Sequence, residues 1–129
     1  LAWLIRAYNA IPVRRGVADR KALRDASAVL SRGGALVMFP GGTRDDSGEV
    51  SNPRPGVGYI SCANAAPVVP AYITGSNRLS RALARKASLR VAFGEPMEPC
   101  KGETGADYRA YANRIAVEIG HLRREVEGS

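Results

Sequence analysis

Residues Ala35–Phe39 read Ala-Leu-Val-Met-Phe, an unbroken apolar run that stops at Pro40, Gly41 and Gly42. A strand with one wet face would alternate apolar and polar residues; a continuous run is the pattern of an interior strand covered on both faces, as in a parallel sheet. Such strands are joined by crossovers, so helical patterns are expected on either side of the run. Upstream, Asp19 stands as an N-cap before Ala22, Leu23, Ala26, Val29 and Leu30, which share one helical face, and Gly33 marks the stop. Downstream, Pro55–Ala66 begins with proline at a first-turn position and is dense in small side chains, which predicts a helix lying close against a sheet.

Further strands are expected at Ala10–Val13, Pro67–Ile73 and Leu89–Pro96, with a basic linker between the last two. Leu1, Leu4, Ile5 and Tyr8 recur at helical spacing, as though a helix were already under way, so residues are expected upstream of Leu1. A last helix is predicted over Ala106–Val126, where Tyr108, Tyr111, Ile115, Ile119, Leu122 and Val126 form a stripe. Strands alternating with helices imply an α/β fold: a central, mostly parallel sheet flanked by helices. At 129 residues, 45% of them hydrophobic, the chain is long enough for one domain spanning residues 1–129 and too short for two.

The formal net charge is +7, and arginine far outnumbers lysine. That balance favours an anionic partner, and the planar guanidinium fork suits phosphate. Nucleic acid fits less well, because only 6% of residues are aromatic and none is interleaved with the arginines near the motifs. No apolar window approaches the length of a membrane span. Cys62 and Cys100 have neither CxxC nor zinc-type spacing and lie far from the single His121, so no metal site and reduced thiols are expected. The Walker, dinucleotide and nucleophile-elbow signatures are all absent. His121 lies off the apolar stripe and reads as a solvated surface residue.

The segment Pro40–Arg54 follows the apolar run and is broken by glycine and proline, so it is read as a loop at the carboxyl end of a strand. Ligands collect at that end of an α/β sheet, and glycines let backbone N–H groups approach an anion. Arg44 would add a bidentate, charge-assisted contact. Arg14 and Arg15 also sit just beyond an expected strand, which places guanidinium groups at two strand ends on one rim.

The blocks "AIPVRRG", "ADRKALRDASAVLSRGGALVMFPGGTRDDSGEV", "PRPGVGYISCANAAPVVPAYITGS" and "VAFGEP" occur in the order and at about the spacing of the 1-acylglycerol-3-phosphate acyltransferase family, which the chain resembles over essentially its whole length. The resemblance implies an acyltransferase of phospholipid synthesis that uses acyl-CoA or acyl-carrier protein as donor, a lysophospholipid acceptor and no cofactor. It implies that Arg15 binds acceptor phosphate, and that the family's Phe-Pro-Glu-Gly-Thr-Arg motif falls on Phe39, Pro40, Gly41, Gly42, Thr43 and Arg44. The family's later apolar block puts its key proline at Pro70, and Arg54 in the "NPRPG" turn is a further acceptor-side candidate. Gly41 stands where the family has glutamate, a carboxylate that could hold a glycerol hydroxyl or fix the arginines.

The family's catalytic His-x4-Asp motif precedes "IPV", and no histidine stands there in this sequence; His121 is followed five residues later by Val126, so it does not reproduce the motif. Acyl transfer to an alcohol needs a base for the hydroxyl proton and a carboxylate to orient that base. The resemblance therefore implies a carboxyl-terminal portion of the domain, N-terminally truncated and inactive alone, working at the cytoplasmic face of the cell membrane with its anchor upstream. A non-catalytic module of the same fold that holds phospholipid or another phosphorylated ligand is the alternative.

Overall fold

The computed structural model describes residues 11, 19–41, 50–75 and 89–128. Two compact units divide the chain, Leu1–Met38 and Phe39–Ser129. The opening helix and the "IPV" strand expected in the first unit lie outside the described residues, apart from Ile11.

In the first unit, helix α1 spans Arg20–Ser31. Asp19 caps it as the sequence predicts: its carboxylate accepts from the backbone N–H groups of Lys21 and Ala22, both at 3.2 Å. Ala22 and Ala26 are buried, with Leu23, Val29 and Leu30 half-buried on the same face. At the far end Gly33 adopts φ +76°, and Gly34 N–H returns to the Val29 carbonyl at 3.0 Å. A left-handed residue there lets the chain fold back on the last turn, which glycine does without a Cβ penalty.

The expected interior strand Ala35–Phe39, which crosses from the first unit into the second, forms no ladder among the described residues. Val37 is 87% exposed and Phe39 78%. An apolar run becomes a strand only when a neighbour offers its backbone groups, and no described residue does so here.

In the second unit, helix α2 (Gly56–Asn64) enters through Pro55 and ends on Ala65, whose φ of 47° is left-handed. Its small residues serve a helix rather than the expected sheet. Gly58 lies against the backbone of Tyr108 in helix α3, which spans Gly105–Glu127, and the Tyr59 and Tyr108 rings meet edge to face with centroids 5.5 Å apart. Helix α3 starts with a capping box: Asp107 N–H donates to Thr104 Oγ1 at 3.2 Å, and Thr104 N–H to Asp107 Oδ2 at 3.0 Å. Of the predicted stripe, Tyr111, Ile115, Ile119 and Leu122 are buried, joined by fully covered Ala112.

Strands β1 (Ala71–Thr74) and β2 (Arg90–Phe93) form a two-stranded antiparallel sheet with Tyr72 opposite Ala92. The chain is therefore mixed α/β, and the parallel pairing expected from the sequence is not seen among the described residues. Short apolar strands read alike in either direction, so only the partner decides. Tyr72 packs into the core with Val57, Tyr111, Ile115, Ile119 and Leu122. The cysteines depart from expectation too: Cys62 of α2 and Cys100, just before α3, are joined as a disulfide. Their separation of 38 residues gives no sequence signal, because it is the packing of α2 on α3 that brings them together.

Tyr72 reaches from this core to the end of α3, where its hydroxyl donates to Glu127 Oε1 at 2.6 Å; Arg123 Nε donates to Oε2 at 2.9 Å. Donation from Tyr72, and then from Arg123, holds the Glu127 carboxyl below its ordinary 4.5. Burial, reinforced by Glu127, pushes the Tyr72 phenol above 10.0. The Glu127 contribution is present above pH 4.5 and is lost as pH falls through the lowered value; the Tyr72 contribution is present below pH 10.0 and is lost as pH rises through the raised one. We expect Tyr72→Phe to flatten both limbs of a plot of melting temperature against pH. Limbs as steep as in the parent would show that the pair does not couple to folding.

Candidate functional site

The candidate site is built on the loop that follows Phe39. Of its predicted residues, Gly41, Arg54 and Pro70 are described, whereas Arg15, Gly42, Thr43 and Arg44 lie outside the described residues. Pro40 and Gly41 begin a turn, and the bond from Arg54 N–H to the Pro40 carbonyl at 2.8 Å ties the two ends of the loop together. Buried Pro53 anchors the returning segment, and the Arg54 side chain is exposed. Gly41 and Arg54, thirteen residues apart in sequence, thus share the base of one loop.

That base leads straight into α2. Arg54 is followed by Pro55, the N-cap residue, which supplies no side-chain hydrogen bond to the helix. A Cβ added at Gly56 would meet nothing within 4 Å, so the entry to α2 is open. The first-turn N–H groups, which have no partner within the helix, and the positive end of the helix dipole favour an anion at such an entry. Chemically the arrangement can hold negative charge, and among its described residues it presents no acid–base pair.

Pro70 has a different setting. It is buried at the start of β1, and its carbonyl accepts from Gly94 N–H at 2.8 Å. A proline suits the first position of a strand because it offers no N–H to the ladder. The structure therefore explains Pro70 by sheet formation, while the backbone bond at the loop base brings Gly41 and Arg54 together.

A separate open cleft of about 340 Å³ is lined by Glu98, Lys101, Asp107, Tyr111 and Arg114 among others, and by none of the predicted site residues. The Tyr111, Arg114 and Asp107 side chains there have structural partners. Tyr111 Oη donates to the Glu98 carbonyl at 2.7 Å, and the Arg114 guanidinium lies 5.8 Å from the Tyr111 ring centre. The Thr104 hydroxyl, followed by the backbone N–H groups of Thr104 and Glu103, keeps the Asp107 carboxyl below its ordinary 3.8. His121 is exposed on α3, with Nδ1 3.9 Å from a Glu118 oxygen, as expected of a solvated residue. Among the described residues no group of three or more His, Cys, Asp or Glu could hold a metal ion.

Sequence reasoning missed Ser61, which is 1% exposed. Its hydroxyl donates to the Ala66 carbonyl at 2.7 Å and accepts from Cys100 N–H at 3.0 Å, which locks the end of α2 to the segment before α3. Nothing in its local sequence separates it from a surface serine; its partner lies 39 residues away.

The chain belongs to the acyltransferase family, whose model, described as Acyltransferase, matches residues 1–74. That span takes in the loop, α2 and β1, and with them every predicted site residue. Comparison with curated proteins and with solved structures gave no match.

Proposed function

We propose that this chain is part of an enzyme of phospholipid synthesis that transfers an acyl group from acyl-CoA or acyl-carrier protein to 1-acylglycerol-3-phosphate, and that it supplies the acceptor side of the site. The observation that carries this reading is the closed loop base: the Pro40–Arg54 bond sets the two ends of the motif loop at the uncapped entry to α2. Arg44 and Arg15 would clamp the phosphate with bidentate contacts, Arg54 would add charge at the base, and Gly42 and Thr43 would shape the approach. Gly41 leaves the glycerol hydroxyl without the family's carboxylate.

The reading keeps the central, mostly parallel sheet as the fold of the complete domain, with Ala35–Phe39 as one of its strands. Supporting it, Val37 and Phe39 are uncovered, and a run this apolar gains from burial. In this reading the enzyme works at the cytoplasmic face of a membrane, which the lipid acceptor and the net charge of +7 support. Among the described residues no helix is long and apolar enough to cross one.

The test is a titration of the chain with lysophosphatidate, read by calorimetry. Arg44→Ala is expected to weaken binding about tenfold or more, since a charge-assisted pair is lost. The neutral monoacylglycerol should bind poorly to the parent and show little change in the variant. Parent-like affinity for lysophosphatidate in Arg44→Ala would remove the phosphate clamp.

A further inference from the structure

The open cleft beside α3 has one half of the disulfide, Cys100, in its wall. One side of the cleft is the segment of residues 98–101; the other is the α3 face that carries Asp107, Tyr111 and Arg114 at helical spacing. Cys100 is only 8% exposed, and the cleft is the side from which a reagent meets it. Cys62, half-buried on α2, is not among the residues that line the cleft. A volume of about 340 Å³ lies at the small end of the range for small-molecule sites, roughly 300–1,000 Å³.

Charge indicates what fits. Asp107 is taken up by the capping box, where it accepts from the Thr104 hydroxyl at 2.6 Å and from the Thr104 and Glu103 N–H groups. That leaves three exposed charged groups around the cleft: the Lys101 ammonium, the Arg114 guanidinium and the Glu98 carboxylate. Two cations and one anion match a ligand with two carboxylates and one ammonium, and the guanidinium plane suits a carboxylate in particular. The wall is also held without the sulfur bridge. Cys100 N–H donates to Ser61 Oγ at 3.0 Å, and Tyr111 Oη donates to the Glu98 carbonyl at 2.7 Å, so Cys100 stays at the cleft when the bridge opens.

We propose that the Cys62–Cys100 disulfide is an exchange site for a small peptide thiol with two carboxylates and one ammonium, which docks in this cleft and forms a mixed disulfide with Cys100. The docked thiol loses its proton to solvent, and its sulfur attacks Cys100 Sγ. As the new S–S bond forms the Cys62–Cys100 bond breaks, and Cys62 leaves with the electron pair and takes a proton from water. A second molecule of the thiol then attacks the ligand's sulfur, Cys100 leaves in the same way, and the two ligand molecules depart joined as a disulfide. Both cysteines end reduced and two thiols end oxidised.

The probe is glutathione, with β-mercaptoethanol as the uncharged reductant. Each is mixed with the oxidised full chain, free thiols are alkylated at intervals, and each rate is divided by that reagent's rate with hydroxyethyl disulfide to remove intrinsic reactivity. At low salt glutathione is expected to be about tenfold faster than β-mercaptoethanol, and added salt should shrink the advantage. Mass spectrometry of the trapped intermediate should place the adduct on Cys100. In Lys101→Glu/Arg114→Glu the ratio of the two rates should fall about tenfold, whereas Arg90→Glu/Arg124→Glu, the same charge change outside the cleft wall, should keep it. A merely loosened fold would raise both rates together.

A ratio near one in the parent, an equal fall in both variants or an adduct on Cys62 overturns the proposal. Should the cleft variant fail to fold, the parent's salt dependence and the position of the adduct decide. A chain isolated with both thiols free is treated with oxidised glutathione instead, which runs the exchange backwards through the same mixed disulfide; no adduct on Cys100 then overturns the proposal as well.

Discussion

Gly58→Ala is expected to destabilise the second unit, although alanine is the better helix former. In an open helix interior the exchange would stabilise by about 1 kcal/mol. At Gly58, however, an added Cβ would collide with the Tyr108 carbonyl oxygen and stand 2.7 Å from both Tyr108 C and Cα. These are backbone atoms of a helix, so no rotamer change can relieve the contact. α2 and α3 must move apart, which loosens Val57 and Ile60 on one side and Tyr111 and Ala112 on the other, all of them buried. Overpacking of this kind costs about 1–3 kcal/mol, enough to outweigh the propensity gain. Gly56→Ala provides the control, since nothing lies within 4 Å of its added methyl, and it should be neutral or stabilising by a few tenths of a kcal/mol to about 1 kcal/mol. The urea midpoint should fall in Gly58→Ala and stay or rise in Gly56→Ala, and a raised midpoint for Gly58→Ala would contradict the close approach of the helices.

Reduction of Cys62–Cys100 is expected to have the largest effect. The bond closes a sequence separation of 38 residues that contains the whole β1–β2 sheet. By the loop-entropy account, closing a loop of that size stabilises the folded chain by about 4 kcal/mol. Domains are stable by only about 5–15 kcal/mol, so the loss would take much of the margin. Melting the chain with and without dithiothreitol, together with the Cys62→Ser/Cys100→Ser variant, should lower the melting temperature by about 8 °C or more in both cases. Identical melting curves, with two thiols titrating in the native chain before any reductant is added, would show that the pair is not bonded. The expectation of reduced thiols came from spacing alone, and spacing says nothing about two positions that only packing joins.

The candidate site was partly legible. The glycine–proline loop after an apolar run was readable because its breakers act locally, and Arg54 was already a candidate from the turn that contains it. What the sequence did not contain was the Pro40–Arg54 bond, a contact between residues fourteen positions apart that makes one base out of two loop ends. Pro70 was read as part of a binding block, and the structure gives it a place in sheet formation beside Gly94. The small residues of α2 were read correctly as a sign of close approach and assigned to the wrong neighbour, since Gly58 fits a helix as well as it would fit a strand.

The amino-acid sequence by itself determined the helices. Asp19 as a cap, Gly33 as a stop and the stripe from Tyr111 to Leu122 set α1 and α3 nearly to their ends, because helical hydrogen bonds close within the segment that makes them. Tertiary structure decided which apolar runs became strands and in which direction they paired, which cysteines met, and where Ser61 went. Those outcomes depend on partners tens of residues away, and a strand, a thiol or a buried hydroxyl has no partner within its own segment to settle the matter.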